Sequence, residues 1–340
     1  MYVEIRSARP SPRTRARGAG YRQRVKHPLL DPVITRAVRR AAAGHLGRAW
    51  APAGFTDLNH RASHPCGIFT GTPISVFAKL DGAPDAVERF TAELRGLGLI
   101  RSRTAVPTPA PVAGGIVDTG AGTLLLYEAL AERGAAAGQA ADSRTPGDYA
   151  AIGRALAGLH QVKGETFGLA EFDGFFGPLP QSNRPAGGGR WAGFYAERRV
   201  RPALRLAIDS GYLPAELARG VDRVVARLPG LCGPEPAPAL LHGDAQQNNF
   251  ISLANGAAVI DVAPYFGHPE ADLALVDCYS PVDKELLRAY AELAPLDPGF
   301  GDRRELWRLP VYLAVIAVDG DHAFGRSFLP RLAAAVRRYS

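Results

Sequence analysis

Residues 240–273 read LLHGDAQQNNFISLANGAAVIDVAPYFGHPEADL, and the order of polar and apolar residues in this stretch sets what is expected of the rest of the chain. A carboxylate, Asp244, and five residues on a carboxamide, Asn249, share one short polar loop that follows the apolar pair Leu240-Leu241. Two apolar runs, 250–253 and 257–260, flank Asn255-Gly256, a dipeptide that tolerates positive φ at both centres of a type I′ turn, so the stretch reads as a β-hairpin. A tight hairpin returns the chain to its start. Asp261, at the end of the second strand, is thereby expected beside Asn249 and Asp244, and three oxygen-bearing side chains converge.

Phosphoryl transfer needs little covalent help from a protein. It needs a carboxylate that orients and deprotonates the acceptor hydroxyl, and hard oxygen ligands that hold Mg²⁺ against the phosphates. An Asp, an Asn five residues on and a strand-terminal Asp about a dozen residues later is the layout of a kinase catalytic loop, with Gly243 where the protein-kinase loop carries Arg. His-Gly-Asp-x-x-x-x-Asn, then Ile-Asp, then Tyr-Phe-Gly-His-Pro-Glu-x-Asp-Leu-Ala resembles the aminoglycoside-phosphotransferase-like branch of the kinase fold and, within it, the fructosamine (ketosamine-3-) kinase family. The parts alone are weaker signals: His-Gly-Asp occurs in many loops, Asp and Asn are ordinary turn formers, and His268-Pro269-Glu270 also fits plain helix capping. Their common register is what points to a kinase.

The resemblance implies an α+β, two-lobed, protein-kinase-like fold: a small β-sheet lobe with a helix over residues 31–130, and a larger, mostly helical lobe over 131–340. It implies ATP and Mg²⁺ as cofactors, Asp244 as catalytic base, Asn249 and Asp261 as metal ligands, and His242 and Asp272 as structural support of the catalytic loop.

The chain has 340 residues, 46% hydrophobic and 21% charged, enough for a sizeable core in one or two domains. No apolar run approaches a membrane span, and the N-terminus lacks a hydrophobic signal core, so a cytoplasmic protein is expected. The net charge of +7 lies wholly in residues 1–28, which hold eight bases against Glu4; the remainder is neutral. A nucleic-acid face is therefore not indicated, and residues 1–30 read as a basic, disordered tail. A transit peptide and a nucleic-acid arm are the functional alternatives for that tail. Cys66, Cys232 and Cys278 show neither metal spacing nor a disulfide framework.

A first helix is expected over 31–50 from the spacing of Val33, Ile34, Val38, Ala41 and Leu46. Residues 74–80 read as a strand carrying Lys79, one of only four lysines in the chain. The resemblance gives Lys79 the α- and β-phosphates; a lysine guarding an edge strand is the structural alternative. Val87, Phe90, Leu94 and Leu97 mark a helix, in which Phe-x-x-Glu-x-x-Gly-Leu resembles the family and makes Glu93 the partner of Lys79. Residues 123–128 read as a buried strand leading to a hinge, where backbone from Glu128 to Leu130 would bind adenine. Residues 134–141 read as a flexible link, and Thr145-Pro146-Gly147-Asp148 as a helix start. His160, near the end of that helix, reads as a packing or capping residue.

Gln181, Asn183 and Trp191 form a block that also resembles fructosamine kinases, and an exposed aromatic with neighbouring amides would bind the sugar; core packing is the alternative for Trp191. Helices are expected over 283–293, 303–318, with Pro310 kinking it, and 328–339. Two departures from the family stand out. Residues 61–67 replace the paired glycines of the phosphate-covering loop, and Ala245-Gln246-Gln247-Asn248 replaces Leu-Trp-Ser-Gly beside the acceptor. The expectation is an ATP- and Mg²⁺-dependent kinase, monomer or homodimer, that phosphorylates a hydroxyl of a small sugar-amine adduct. An aminoglycoside-type antibiotic phosphotransferase and a non-catalytic pseudokinase binding nucleotide or protein are the alternatives.

Overall fold

The computed structural model describes residues 27–61, 64–133 and 144–340. The tail expected over 1–30 and the link expected over 134–141 lie outside them, except at the tail's end. There Pro28–Leu30 form one 3-10 turn, Leu29 is fully buried, and His27 accepts from Leu29 N through Nδ1.

The chain divides into two compact units, residues up to Thr91 with Ala110–Ala129, and Ala92–Pro109 with Leu130–Ser340. A single cut near residue 130 is therefore crossed by residues 92–109, which pack with the larger unit.

In the smaller unit, α1 (Pro32–Leu46) starts at Asp31, whose side chain accepts from Val33 N, has Pro32 in its first turn, and ends at Gly47 with φ 63°. An antiparallel sheet of order β1-β2-β3-β5-β4 follows, built from β1 (Gly54–Asp57), β2 (Cys66–Thr70), β3 (Val76–Asp81), β4 (Pro111–Asp118) and β5 (Thr123–Glu128). Ile34 and Val38 of α1 share one core with Trp50, Phe69, Val76, Leu124 and Leu126. Lys79 sits on β3, between Cys66 of β2 and Leu125 of β5, so it is not on an edge strand.

Helix α2 (Ala86–Arg103) is longer than its apolar pattern suggests, and Val87, expected on the inner face, is 51% exposed. Its later turns approach the chain just beyond Asp261: a Cβ on Gly96 would lie 2.7 Å from Pro264 Cδ and 3.0 Å from Val262 Cγ2.

In the larger unit, α3 (Pro146–His160) opens with a full capping box between Thr145 and Asp148. Next come the short hairpin β6 (Gly174–Phe176) and β7 (Leu179–Gln181), then α4 (Trp191–Tyr195), which runs through one π turn into α5 (Arg201–Asp209), and α6 (Ala215–Leu231). Strand β8 (Ala239–Leu240) pairs with β11 (Phe266–Gly267), and between them β9 (Phe250–Leu253) pairs with β10 (Gly256–Val259). The remainder is helical: α7 (Pro269–Leu275), α8 (Glu285–Ala291), α9 (Phe300–Trp307), α10 (Leu309–Asp319), α11 (Ala323–Arg326) and α12 (Phe328–Tyr339).

Two expectations shift. The helix expected over 303–318 is two helices, broken at Arg308 because Pro310 cannot donate into a continuing ladder and occupies the first turn of α10 instead. The β9–β10 turn is centred on Ala254 and Asn255, since Leu253 pairs with Gly256, and only Gly256 has positive φ, at 110°. Among the described residues no helix is long and apolar enough to cross a membrane.

Candidate active site

The loop from β8 to β9 is held from both sides. Asp272 lies in the first turn of α7, where the helix dipole favours an acid, and accepts from His242 N at 2.6 Å and Gly243 N at 3.1 Å. His160 Nε2 lies 3.1 Å from the same carboxylate while its Nδ1 meets Tyr290 Oη at 2.9 Å. On the other side, Ala263 N donates to His242 O and Leu241 N to Tyr265 O, each at 2.9 Å. Gly243 has φ 82°, and a Cβ there would lie 1.8 Å from Ala263 O. No arginine fits where the chain passes this close to its own backbone, which accounts for the glycine.

The His242 ring is fully buried against Phe250, and its Nδ1 accepts from Asp244 N at 3.3 Å. Burial holds this imidazole below its ordinary pKa, so it stays neutral. Asn249 Nδ2 then donates to Asp244 O at 2.9 Å and Asp244 Oδ2 at 3.0 Å. Both partners are acceptors, which assigns the amide and turns Asn249 Oδ1 away from Asp244. Ile260 N donates to Asn249 O at 3.0 Å, carrying the hairpin ladder one pair past β10, to the residue before Asp261. Asp261 has φ 49°, a left-handed conformation that Asp tolerates better than branched residues do. A carboxylate, Asp261, and the carboxamide oxygen of Asn249 are hard donors of the kind Mg²⁺ takes, so this pair fits that ion.

Two amides of the same loop were not singled out as site residues. Gln247 anchors the loop outward: its Nε2 donates to Ser280 O at 3.0 Å and to the Ser280 hydroxyl, and Tyr149 Oη donates to its Oε1 at 3.3 Å. Gln246 points inward, its Nε2 at 3.4 Å from Asp244 Oδ2. Both polar residues are buried, and an uncharged Gln-Gln pair carries no periodic signal that would reveal it.

In the smaller unit, Lys79 Nζ lies 5.9 Å from the centroid of the Phe90 ring. Two residues on, the buried Asp81 forms ion pairs with Arg89 and, at 3.2 Å, His64 Nε2. Burial alone would raise this carboxyl, but its hydrogen bonds and the two cations outweigh that and hold it at about 2. Glu93 lies partly buried on α2. Glu128 ends β5, donating its N–H to Ala110 O and setting its carboxylate 3.1 Å from His45 Nε2. Leu130 O accepts from Glu132 N at 3.0 Å.

The sugar-binding block needs correction. Trp191 is 1% exposed and is packed among Phe167, Phe194, Tyr195, His268 and Trp307, so its face is not available to a sugar. Asn183 is buried too; its Oδ1 accepts from Arg199 Nη2 at 2.6 Å. Arg199 in turn lies 3.9 Å from the Tyr265 ring centroid. Its place could have been read from the sequence, since it falls on the helical face of Trp191 and Tyr195. Of the three, only Gln181 is left partly exposed, lining a cavity beside Arg199, Tyr265 and Asp272.

The model of the family described as fructosamine kinase matches residues 35–338. The chloroplastic protein-ribulosamine 3-kinase of Oryza sativa subsp. japonica is 29% identical over 269 residues, 78% of this chain and 74% of that protein. A "Probable ketoamine kinase" of Vibrio cholerae is 29% identical over 222 residues, 65% of this chain and 72% of its own. A Thermobifida fusca chain of known structure, given a fructosamine-3-kinase name, superposes with a TM-score of 0.73 at 31% identity, covering 88% of this chain and 99% of its own. These likenesses make the fold protein-kinase-like and the activity an ATP-dependent phosphotransfer to an alcohol. On the near-complete span of the match and the loop geometry beneath it, the chain belongs to the fructosamine kinase family.

Proposed function

We propose that this enzyme transfers the γ-phosphoryl group of ATP to the O3 hydroxyl of ketosamines, amines that carry a fructosamine- or ribulosamine-type sugar. The observation that carries the reading is the Asp244–Asn249 pair, in which a carboxamide spends both amide hydrogens on the oxygens of one aspartate. That arrangement fixes the carboxylate. Asp244 takes the proton of the acceptor hydroxyl as its oxygen bonds to phosphorus, while the bond to the bridging oxygen of ADP breaks. Asn249 and Asp261 would hold Mg²⁺, which when bound offsets the phosphate charge. Lys79, with Glu93 as its partner, is assigned to the α- and β-phosphates, and backbone between Glu128 and Leu130 to adenine. Asp272 and His242 touch no reactant; they set the path of the loop.

The names of the rice and Vibrio relatives support the acceptor class. So does the loop beside Asp244, where Gln246 and Asn248 are neutral amides, better suited to a polyhydroxyl than to a polycationic antibiotic. Three buried cysteines, with neither metal nor disulfide spacing in the sequence, suit a reducing cytoplasm, and the balanced charge beyond residue 28 suits a small-molecule rather than a nucleic-acid partner. ADP release measured over a panel of N-fructosyl and N-ribulosyl amines and kanamycin-like polyamines tests the reading. Ketosamines should be the better acceptors by at least about tenfold in kcat/KM, about 1.4 kcal/mol of differential transition-state binding. Preference for the polyamines overturns it.

A further inference from the structure

Gln246 is placed in a way that its neighbours do not explain. It is 7% exposed, and it reaches Asp244 Oδ2 through Nε2 at 3.4 Å. Oδ2 of an ionised carboxylate only accepts, so the amide cannot be turned the other way round without setting oxygen against oxygen. The carbonyl Oε1 is therefore directed away from Asp244. It is enclosed there and accepts no hydrogen bond from the protein. A buried carbonyl without a donor is unfavourable, and the one bond made on the nitrogen side is long. Asn249, by contrast, makes two bonds of ordinary length to the same aspartate, so it already holds the carboxylate without help from Gln246.

The resting carboxamide is thus poorly satisfied at both ends, and a small side-chain rotation during acceptor binding would cost little. The hydroxyl delivered to Asp244 brings with it the substituent on the next carbon. On a sugar chain that substituent is a second hydroxyl, a donor of the kind Oε1 lacks. We propose that Gln246 is a specificity-determining residue that selects acceptors bearing a hydroxyl on the carbon adjacent to the one phosphorylated, by accepting a hydrogen bond from it. The inference rests on the ketosamine reading and sharpens it, since it names the part of the acceptor that is recognised. An acceptor lacking that hydroxyl leaves Oε1 unsatisfied, and a protein without the carboxamide gains nothing from the hydroxyl.

The test is a substrate-deletion cycle. N-fructosylglycine and its 4-deoxy analogue are compared as acceptors for the full-length enzyme, for Gln246→Met and for Gln246→Leu, with melting temperature and the KM for ATP recorded for each. The native enzyme should favour the parent adduct by about 10- to 100-fold in kcat/KM, the range for one buried hydrogen bond. In the variants the preference should fall to within about threefold, mostly through loss on the parent, with KM for ATP and melting temperature little changed. A preference that survives in a folded variant overturns the inference, as does equal loss on both acceptors, which would show that Gln246 acts only through Asp244. If the native enzyme leaves N-fructosylglycine untouched, the ketosamine reading fails and the inference with it. If it is active but indifferent to the 4-hydroxyl, the inference alone fails.

Discussion

Asp244 and Asp272 are aspartates at the two faces of one loop, and their surroundings give them opposite kinds of work. Asp272 is buried and accepts from two backbone N–H groups and one imidazole, bonds that commit it to holding the loop. Asp244 is partly exposed and takes its bonds from carboxamides. Asp272→Asn places an NH₂ group against backbone donors or forces one of them to go unsatisfied, so it should cost about 2–4 kcal/mol of stability, visible as a lowered denaturation midpoint. Asp244→Asn should leave that midpoint and the affinity for Mg-ATP nearly unchanged while turnover falls by about 10²- to 10⁴-fold. Asp261→Asn keeps a residue that tolerates left-handed φ, so it should fold and lose Mg-ATP affinity instead. Equal loss of nucleotide binding in the two loop variants would show that the roles have been assigned wrongly.

At the scale of elements, the hairpin delivers Asp261 and α2 backs the segment that follows it. Gly96 makes that backing possible, because a Cβ would press on Pro264 and Val262 at 3.0 Å or less. Gly96→Ala adds a residue that helices prefer by about 1 kcal/mol, so propensity alone predicts a gain in stability. The contact with a proline ring, which cannot swing aside, should reverse the sign and raise the KM for Mg-ATP through displacement of Asp261; thermal melting and steady-state kinetics on one sample decide it. The helix and the Phe-x-x-Glu-x-x-Gly-Leu pattern were legible in the sequence, but what the glycine touches is set by tertiary packing. The same division runs through the site. The Asp244, Asn249 and Asp261 spacing could be read because it is local, within one loop and one hairpin. Trp191 was misplaced because aromatic residues near glycines and amides look alike whether they face a sugar or five other rings. His160 was correctly read as structural, yet its partner Asp272 lies 112 positions away, and no pattern in the sequence joins them. The Asp81, Arg89 and His64 cluster was missed for a similar reason: each looks like an ordinary surface residue until β3 and α2 pack.

Across the whole molecule, charge buried in the fold sets how it responds to acid. His268 caps α7 by accepting from Glu270 N through Nδ1 at 3.2 Å and packs against Trp307, and burial pushes its imidazole down to about 4. In the unfolded chain the same ring titrates near 6.5. Between those values the unfolded state binds the proton and the folded state does not, so stability is fully present above about pH 6.5 and is lost as pH falls toward 4. By pH 5 the loss from this one group is about 2 kcal/mol. His242, whose pKa is also lowered by burial, adds to it with the same sign. Asp81 acts lower: its carboxyl is held at about 2 against 3.8 in the unfolded chain, so its contribution stands above about pH 4 and disappears as pH falls to 2. Urea denaturation at pH 7.5 and pH 5.0 separates these contributions. His268→Asn retains a side chain able to cap α7 but removes the titration, so it should flatten the dependence between the two pH values by about 2 kcal/mol, whatever it costs at pH 7.5. An unchanged difference between pH 7.5 and 5.0 would assign the acid sensitivity to other groups, and would mean that the buried imidazole under α7 takes up its proton without unfolding the helix it caps.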